Sequence, residues 1–399
     1  MFRMVPPAGM PITQSDIIKI MLARFNHTEA SKSFNEMIKE VSGAKYCEFV
    51  SSGRAANYII LKTLKALADN ARDEVVILAY TCFSVPASIA RAGLKIRMVD
   101  INPDTLDYDY KAFSKIDLSR VLAILPCNLF GIVSDWIKLQ EVAVSSDAYL
   151  VDDSAQTLGL SSDEKGAAGP AMAGFYSFGR GKNLSLYSGG AIFTSNDKLA
   201  SLIKSKIASL HRGGMFAELK ILIKFWLYAI MLKPSLYWIP DSLPLGLGKT
   251  IYEENFDIGK LTDLQQSAGP VMFSKLKEAN SFRMKNSNII ARALRTDDRF
   301  GVPGWHEGAA IPFIRLPVLA ANADLRDKAV KTLKSKGISA SIMYPTSIAK
   351  IPGIEKHLVP LENNFEGAEN VASNLFTLPT HSYLNSADID KMIDCLKAL

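Results

Sequence analysis

The stretch SFGRGKNLSLYSGGAIF, Ser177–Phe193, sets Lys182 in a loop of glycines and hydroxyl side chains between two short β-forming runs, AGFYSF and GGAIFTS. A lysine in such a loop is either a solvated residue or a nucleophile held in a pocket. The residues on either side bear on that choice, and they also decide the fold.

Upstream, strands and helices alternate. KYCEFVSSGRAANYIILKTLKAL reads as a short strand, a small-residue turn and an amphipathic helix. EVVILAY is a continuous apolar run rich in β-branched residues, the pattern of a strand buried on both faces. FSVPASIARAG predicts a helix, KIRMVDI and RVLAILPC strands, IKLQEVAVSSDA a helix and YLVDDSA a strand. This alternation implies a largely parallel sheet with helices on both faces. Ser15 to Val41 reads as helical, with Ile17, Ile18, Ile20, Met21 and Leu22 forming an apolar face. Downstream come an apolar insert at about 217–248 and one long helix over LTDLQQSAGPVMFSKLKEANSFRMKNSNIIARAL. The remainder is a compact α+β segment. The expected organisation is therefore a large domain, residues 1–250 with the insert, and a smaller C-terminal α+β domain, 251–399.

The totals exclude several classes. With 399 residues, 48% hydrophobic and 22% charged, the chain has the balance of a globular protein large enough for two domains. The net charge of +6 is mild and lies in no nucleic-acid-binding tract, but it suits anionic small molecules or headgroups. Cys47, Cys82, Cys127 and Cys395 lie far apart, without neighbouring histidines, which argues against zinc or disulfides and for a reducing cytoplasm. The N-terminus lacks the apolar region of a secretory signal.

Four features carry the chemistry. VDDSAQ ends an apolar strand, where α/β sheets place their ligand crevice. Lys182 follows about thirty residues later, with Ser177 five residues before it. SSGRAAN is a Gly-centred turn opening a helix, where free N–H groups and the helix dipole form a phosphate site. Each alone has an ordinary structural explanation. Together they suit pyridoxal phosphate (PLP), which needs a lysine amine, a carboxylate to keep its ring nitrogen protonated, and an anion cradle. Arg180 contributes a cationic setting near the lysine.

On these motifs the chain resembles the DegT/DnrJ/StrS family of PLP-dependent aminotransferases, most of which act on nucleotide-linked keto-sugars. The likeness starts at PPAGMPI and runs through SSGRAAN, YTCFSVPASIARAGLKIRMVDINPDTLDYD, NLFG, VDDSAQTLG and SFGRGKNLSLYSGGAIFTSN to LPTHSYLNSADIDKMID. It implies PLP fold type I, the aspartate-aminotransferase-like α/β fold, and a homodimer with active sites at the interface. Carried over by position, Lys182 bonds to the cofactor and moves the proton. Asp153 pairs with the ring nitrogen, Gln156 bonds the phenolic oxygen, and Ser177 binds the phosphate with Ser52, Gly53 and Arg54. Cys82 stands where an aromatic side chain commonly covers the ring, with Tyr80 and Phe83 nearby. Other departures are Arg54 in place of a threonine, Tyr187-Ser188 in the loop after the lysine, and Ile258 and Lys260 in place of an N-Y-R motif. The expected reaction moves an amino group from L-glutamate to a keto-sugar carried on a nucleotide diphosphate, in polysaccharide or amino-sugar biosynthesis. Related dehydratases replace the lysine by histidine, which Lys182 opposes. A PLP-fold protein without catalysis, acting as a sensor or assembly partner, is the alternative from another class.

The insert has two readings. The plainer one buries a helix over residues 219–240 against a dimer partner or over the active site. The other rests it on a membrane, with Lys220, Lys224 and Lys233 meeting anionic lipid. Its longest charge-free piece, Phe225–Leu232, falls far short of the ~20 residues that span a bilayer. Trp238, Trp305, Phe313 and Tyr344 are candidates for a substrate cleft, with core packing the plainer role. His211 is the histidine nearest the expected site, and no residues group as metal ligands. One expectation is directly testable: if Arg54 replaces missing phosphate contacts, Arg54→Ala releases cofactor far more readily than wild type in an equilibrium binding titration. Unchanged affinity refutes it.

Overall fold

The computed structural model describes residues 3–68, 71–160, 171–243, 251–360 and 364–399. Seven strands form the main sheet: β1 (Tyr46–Val50), β2 (Glu74–Leu78), β3 (Lys95–Val99), β4 (Val121–Ile124), β5 (Tyr149–Asp153), β6 (Ala173–Ser177) and β7 (Gly190–Thr194). Their spatial order is β1-β7-β6-β5-β4-β2-β3. Strands β6, β5, β4, β2 and β3 pair in parallel, while β7 is antiparallel to both β6 and β1. This is the mostly parallel α/β sheet expected of PLP fold type I. A smaller antiparallel sheet, order β10-β9-β8, holds β8 (Phe300–Gly301), β9 (Leu316–Ala320) and β10 (Leu375–Leu378).

The helices before the lysine loop are α1 (Gln14–Phe25), α2 (His27–Ser42), α3 (Gly53–Leu67), α4 (Ser84–Arg91), α5 (Tyr110–Phe113) and α6 (Trp136–Ser146). Those after it are α7 (Asp197–Ala208), α8 (Met215–Met231), α9 (Trp238–Ser242), α10 (Asp263–Phe273), α11 (Leu276–Leu294), α12 (Ala323–Ser335), α13 (Glu366–Asn374) and α14 (Ser386–Lys397). Two expected helices are each split. The one over 15–41 breaks at Asn26, whose non-helical backbone ends α1. The helix expected over 261–294 breaks at Ser274 and Lys275, where the lysine ammonium turns away to Asp16 Oδ2 at 2.6 Å and Pro11 O at 2.8 Å. A local backbone conformation sets the first break, and tertiary contacts that periodicity does not record accompany the second. The halves part company: α10 packs on α1 and α2, and α11 on α14.

Burial follows from the layers. Every residue of β2 is buried, because helices cover both faces of the parallel sheet. One apolar cluster joins these strands to the small sheet. A second lies between β1, β6, β7 and the helices α1, α2, α8 and α10, centred on Phe34 stacked against Phe49 at 4.7 Å. The insert contributes Ile221, Phe225 and Ala229 to this second cluster, while its other face is exposed. Its expected last residues, 244–248, and the expected domain boundary near 250 lie outside the described residues.

An ion pair is buried between two neighbouring strands. Glu74 starts β2 and Arg97 sits mid-β3, and Arg97 Nε donates to Glu74 Oε2 at 2.5 Å with both side chains buried. Removing one partner strands the other, at a cost of about 3–5 kcal/mol. Arg97→Ala is therefore expected to lower the unfolding free energy in urea by about that amount, and a paired Arg97→Met, Glu74→Leu replacement to recover most of it. A loss near zero for Arg97→Ala means that Arg120, 3.7 Å from Glu74 Oε1, takes over the charge.

Candidate active site

Six strands of the main sheet, all but β7, run in one direction, so the loops after β1, β2, β4, β5 and β6 emerge at one edge. That edge holds a pocket that opens to solvent. Cys82 follows β2, Cys127 and Asn128 follow β4, Asp153 ends β5 and Ser177 ends β6, and all of them line it. The β6–β7 loop hangs over the same edge and delivers Lys182. Seven of the eight sequence-derived residues meet there: Gly53, Arg54, Cys82, Asp153, Gln156, Ser177 and Lys182. Ser52 does not line the pocket. It caps α3, its hydroxyl accepting from Ala55 N–H at 3.0 Å.

The two adjacent acids of VDDSAQ point to opposite faces, as successive strand residues must. Asp152 is held within the fold, accepting from Asn128 Nδ2 at 2.8 Å and from Ser154 Oγ at 2.5 Å. Asp153 faces the pocket, and its Oδ1 accepts from the Ala155 N–H at 3.1 Å. Burial pushes its pKa up to about 6, against the opposing charge of Lys182 and the Ala155 hydrogen bond. Among the described residues no hydrogen bond or ion pair ties the Lys182 ammonium, so it is left to the pocket. Gly181, with φ 76°, makes the left-handed turn just before it.

Gln156 is oriented by the backbone. Its Oε1 accepts from Phe130 N–H at 3.1 Å, and Phe130 stands in a left-handed conformation (φ 59°) within the NLFG turn. The amide NH2 end is thereby left for another acceptor. At the other end of the pocket, α3 begins against β6. A Cβ on Gly53 would stand 2.8 Å from Ser177 Cβ, so only glycine allows this approach. Ala55 N–H is used by the Ser52 hydroxyl and Ala56 N–H by Ser52 O. The N–H groups of Gly53 and Arg54 have no intrahelical partner, as at any helix start. With Ser177 Oγ they form an anion cradle.

These residues fit PLP by their chemistry: an untied amine, a buried carboxylate, an amide donor and a dianion cradle share one pocket. Arg54 lines the pocket, while its guanidinium donates to Glu253 O at 3.3 Å and lies 5.0 Å from the Phe256 ring centroid. Arg180 is exposed and rests on the Tyr187 ring, outside the pocket lining. Cys82 sits beside Ser84, Sγ to Oγ 3.0 Å. Tyr80 points away, donating to Met343 O. Phe313 and Tyr344 are core residues, Trp305 donates to Asn288, and none of the four candidate cleft aromatics lines the pocket. His211 is exposed and pairs with Asp257, and Lys260 donates to Ala208 O. Sequence reasoning missed Asn57 and Asn128. Asn57 Oδ1 is buried at the pocket wall without a hydrogen-bond partner among the described residues, while its Nδ2 donates to Ser88. Both asparagines stood inside quoted motifs, SSGRAAN and NLFG, but only the packing turns them inward.

The DegT/DnrJ/EryC1/StrS aminotransferase family model matches residues 20–397. The chain belongs to this family. It is 25% identical over 366 residues to the UDP-2-acetamido-2-deoxy-3-oxo-D-glucuronate aminotransferase of Pseudomonas aeruginosa, covering 89% of this chain and 86% of that one. Among solved structures it resembles the GDP-4-keto-6-deoxy-D-mannose-3-dehydratase of Escherichia coli with bound hydrated PLP: TM-score 0.79, 18% identity, 99% and 100% of the two chains. PseC of Helicobacter pylori, an aminotransferase in pseudoaminic acid biosynthesis, superposes with TM-score 0.76 at 16% identity over 99% of each chain. Those likenesses establish the shared fold.

The buried Asp153 has a measurable consequence in cofactor-free protein. Its folded pKa of about 6 lies above its ordinary value, so the folded chain holds a proton that the unfolded chain has lost between about pH 4 and 6. Its contribution to stability is present below that window and is lost as pH rises through it, by on the order of 2–3 kcal/mol. Asp153→Asn is expected to be more stable than wild type at pH 8, with an advantage that shrinks as pH falls from about 6 to 4. Parallel stability curves would place the carboxylate in solvent instead.

Proposed function

We propose that the chain is a PLP-dependent aminotransferase moving an amino group from L-glutamate to the keto group of a nucleotide-linked sugar, in polysaccharide or amino-sugar biosynthesis. The observation that carries this reading is the convergence of Lys182, Asp153, Gln156, Ser177 and the start of α3 in one pocket. Bound PLP supplies the electron sink that lets a proton leave the carbon bearing the amino group.

The chain's own residues do the rest. Lys182 Nζ holds the cofactor between turnovers, takes the proton from the donor's α-carbon and returns it at the neighbouring position. Asp153 keeps the ring nitrogen protonated, and pairing with that cation returns its carboxyl to the ionised form. Gln156, its oxygen occupied by Phe130, donates its NH2 to the ring oxygen. Ser177 Oγ and the N–H groups of Gly53 and Arg54 take the phosphate, with the Arg54 side chain adding charge nearby. Cys82, on the pocket wall, would give a bound ring a thinner cover than an aromatic residue.

The relative from Pseudomonas aeruginosa is named for a UDP-linked 3-oxo sugar acid, which supports a nucleotide-linked keto-sugar acceptor. We infer in addition a homodimer with active sites at the interface, and two domains dividing near 250. Four unpaired cysteines support a reducing, cytoplasmic setting. Retention of lysine at 182 favours transamination over the dehydratase chemistry of relatives on the same fold.

The test is an absorbance spectrum of the protein with added PLP, before and after glutamate. The expected result is a band near the visible edge that glutamate bleaches with release of 2-oxoglutarate, and that Lys182→Ala lacks. A band that glutamate leaves unchanged would assign the pocket to cofactor binding without this donor. No band would overturn the reading.

A further inference from the structure

The apolar insert has a second face that the core does not use. On α8, Ile221, Phe225 and Ala229 point inward, while Phe216, Leu219, Ile223 and Leu227 lie on the outer side at i, i+3, i+7 and i+11. Beside α8 runs α1, joined to it by Arg24 Nε donating to Glu218 Oε2 at 2.9 Å. Its outer side carries Ile18, Leu22 and Phe25 at i, i+4 and i+7. Exposure is high where it matters: 90% for Phe25, 80% for Met215, 79% for Phe216 and 63% for Leu22. Seven or more large apolar side chains on two packed helices exceed the scattered exposure of an ordinary surface.

Charge selects what covers this face. Three acids near it are paired with cations, Glu218 with Arg24, Asp263 with Arg212 at 2.5 Å and Asp16 with Lys275 at 2.6 Å, while Glu29, hydrogen-bonded by the neutral Asn26 amide, keeps its charge. Lys19, Lys220 and Lys233 are exposed and have no acidic partner among the described residues. An apolar strip flanked by free cations matches a surface that is anionic at its rim and apolar beneath. A second copy of this chain, meeting the face about a two-fold axis, brings the same lysines together and is disfavoured. Among the described residues no helix is long and apolar enough to cross a bilayer, so a bilayer met by this face is met at its surface.

We propose that the outer face of α1 and α8 seats the enzyme on the surface of an anionic phospholipid bilayer. The aromatic and aliphatic side chains enter the headgroup boundary, and the lysine stems reach up to the phosphates. Neither contact involves the pocket residues, so the seating is independent of the reaction.

The test is flotation of the PLP-loaded protein with vesicles of phosphatidylcholine alone or mixed with phosphatidylglycerol. The protein is expected to float with the phosphatidylglycerol vesicles, to be released by added salt, and to stay behind with phosphatidylcholine alone. Replacing Phe25, Phe216 and Leu219 by serine is expected to lower the bound fraction about tenfold or more while leaving the glutamate half-reaction unchanged. Lys19→Glu with Lys220→Glu keeps every apolar residue and is expected to abolish selectivity for the anionic lipid, which covers the case of a misfolded serine variant. Absence of flotation, equal binding to both vesicles, or a serine variant that changes sedimentation from a larger assembly to a smaller one would each overturn the proposal, the last in favour of a contact between copies.

Discussion

A carboxylate buried at the tip of a central strand, facing an amine that nothing else in the described chain ties down, is the constraint around which the pocket is built. Asp153 ends β5 in a place where burial raises its pKa, and the charge of Lys182 opposes that rise without forming an ion pair with it. Its neighbour Asp152 occupies the other face and is saturated by Asn128 and Ser154. A polypeptide keeps a buried acid in this condition only when the surrounding packing holds it there. Parallel β4 and β6 on either side supply that packing.

The phosphate end depends on a different constraint, the distance between two backbones. Gly53 lets the first turn of α3 press against Ser177, and the Ser52 cap uses one N–H while leaving those at the helix start free. Arg54 occupies a threonine's usual place and reaches toward Glu253 and Phe256 instead of standing alone over the cradle. The 251–260 segment is thereby attached to the rim of the site, and Gly259 O also accepts from Ser51 N–H at 2.8 Å. Cofactor pocket and downstream segment are mechanically linked through these bonds.

The insert shows how one helix serves two surroundings. Its inward face completes the cluster around Phe34, and its length beyond that need leaves an outer face continuous with α1. Arg180 and Lys224 both lie against the Tyr187 ring, at 5.2 and 5.0 Å from its centroid, so α8 also touches the loop that carries Lys182. The surface helix and the lysine loop meet through this aromatic side chain.

The sequence by itself determined the parallel sheet, through apolar β-branched runs alternating with helices, and the chemistry-bearing residues whose spacing places Asp153 and Ser177 at strand ends and Lys182 on the loop after them. Strand periodicity and turn composition are local, so they survive in the linear text. Tertiary structure decided the rest. Ser52 became a cap and not a pocket wall because its hydroxyl lies nearest an unpaired N–H of its own helix. Asn57 and Asn128 turned inward because α4 and Asp152 offer them partners distant in sequence. The two long helical patterns broke where a capping conformation at Asn26 and the Lys275–Asp16 pair outweighed continuous periodicity. Which side of α8 meets solvent was settled by the helices packed against it, since an apolar residue reads the same in sequence whether or not a neighbour arrives to cover it.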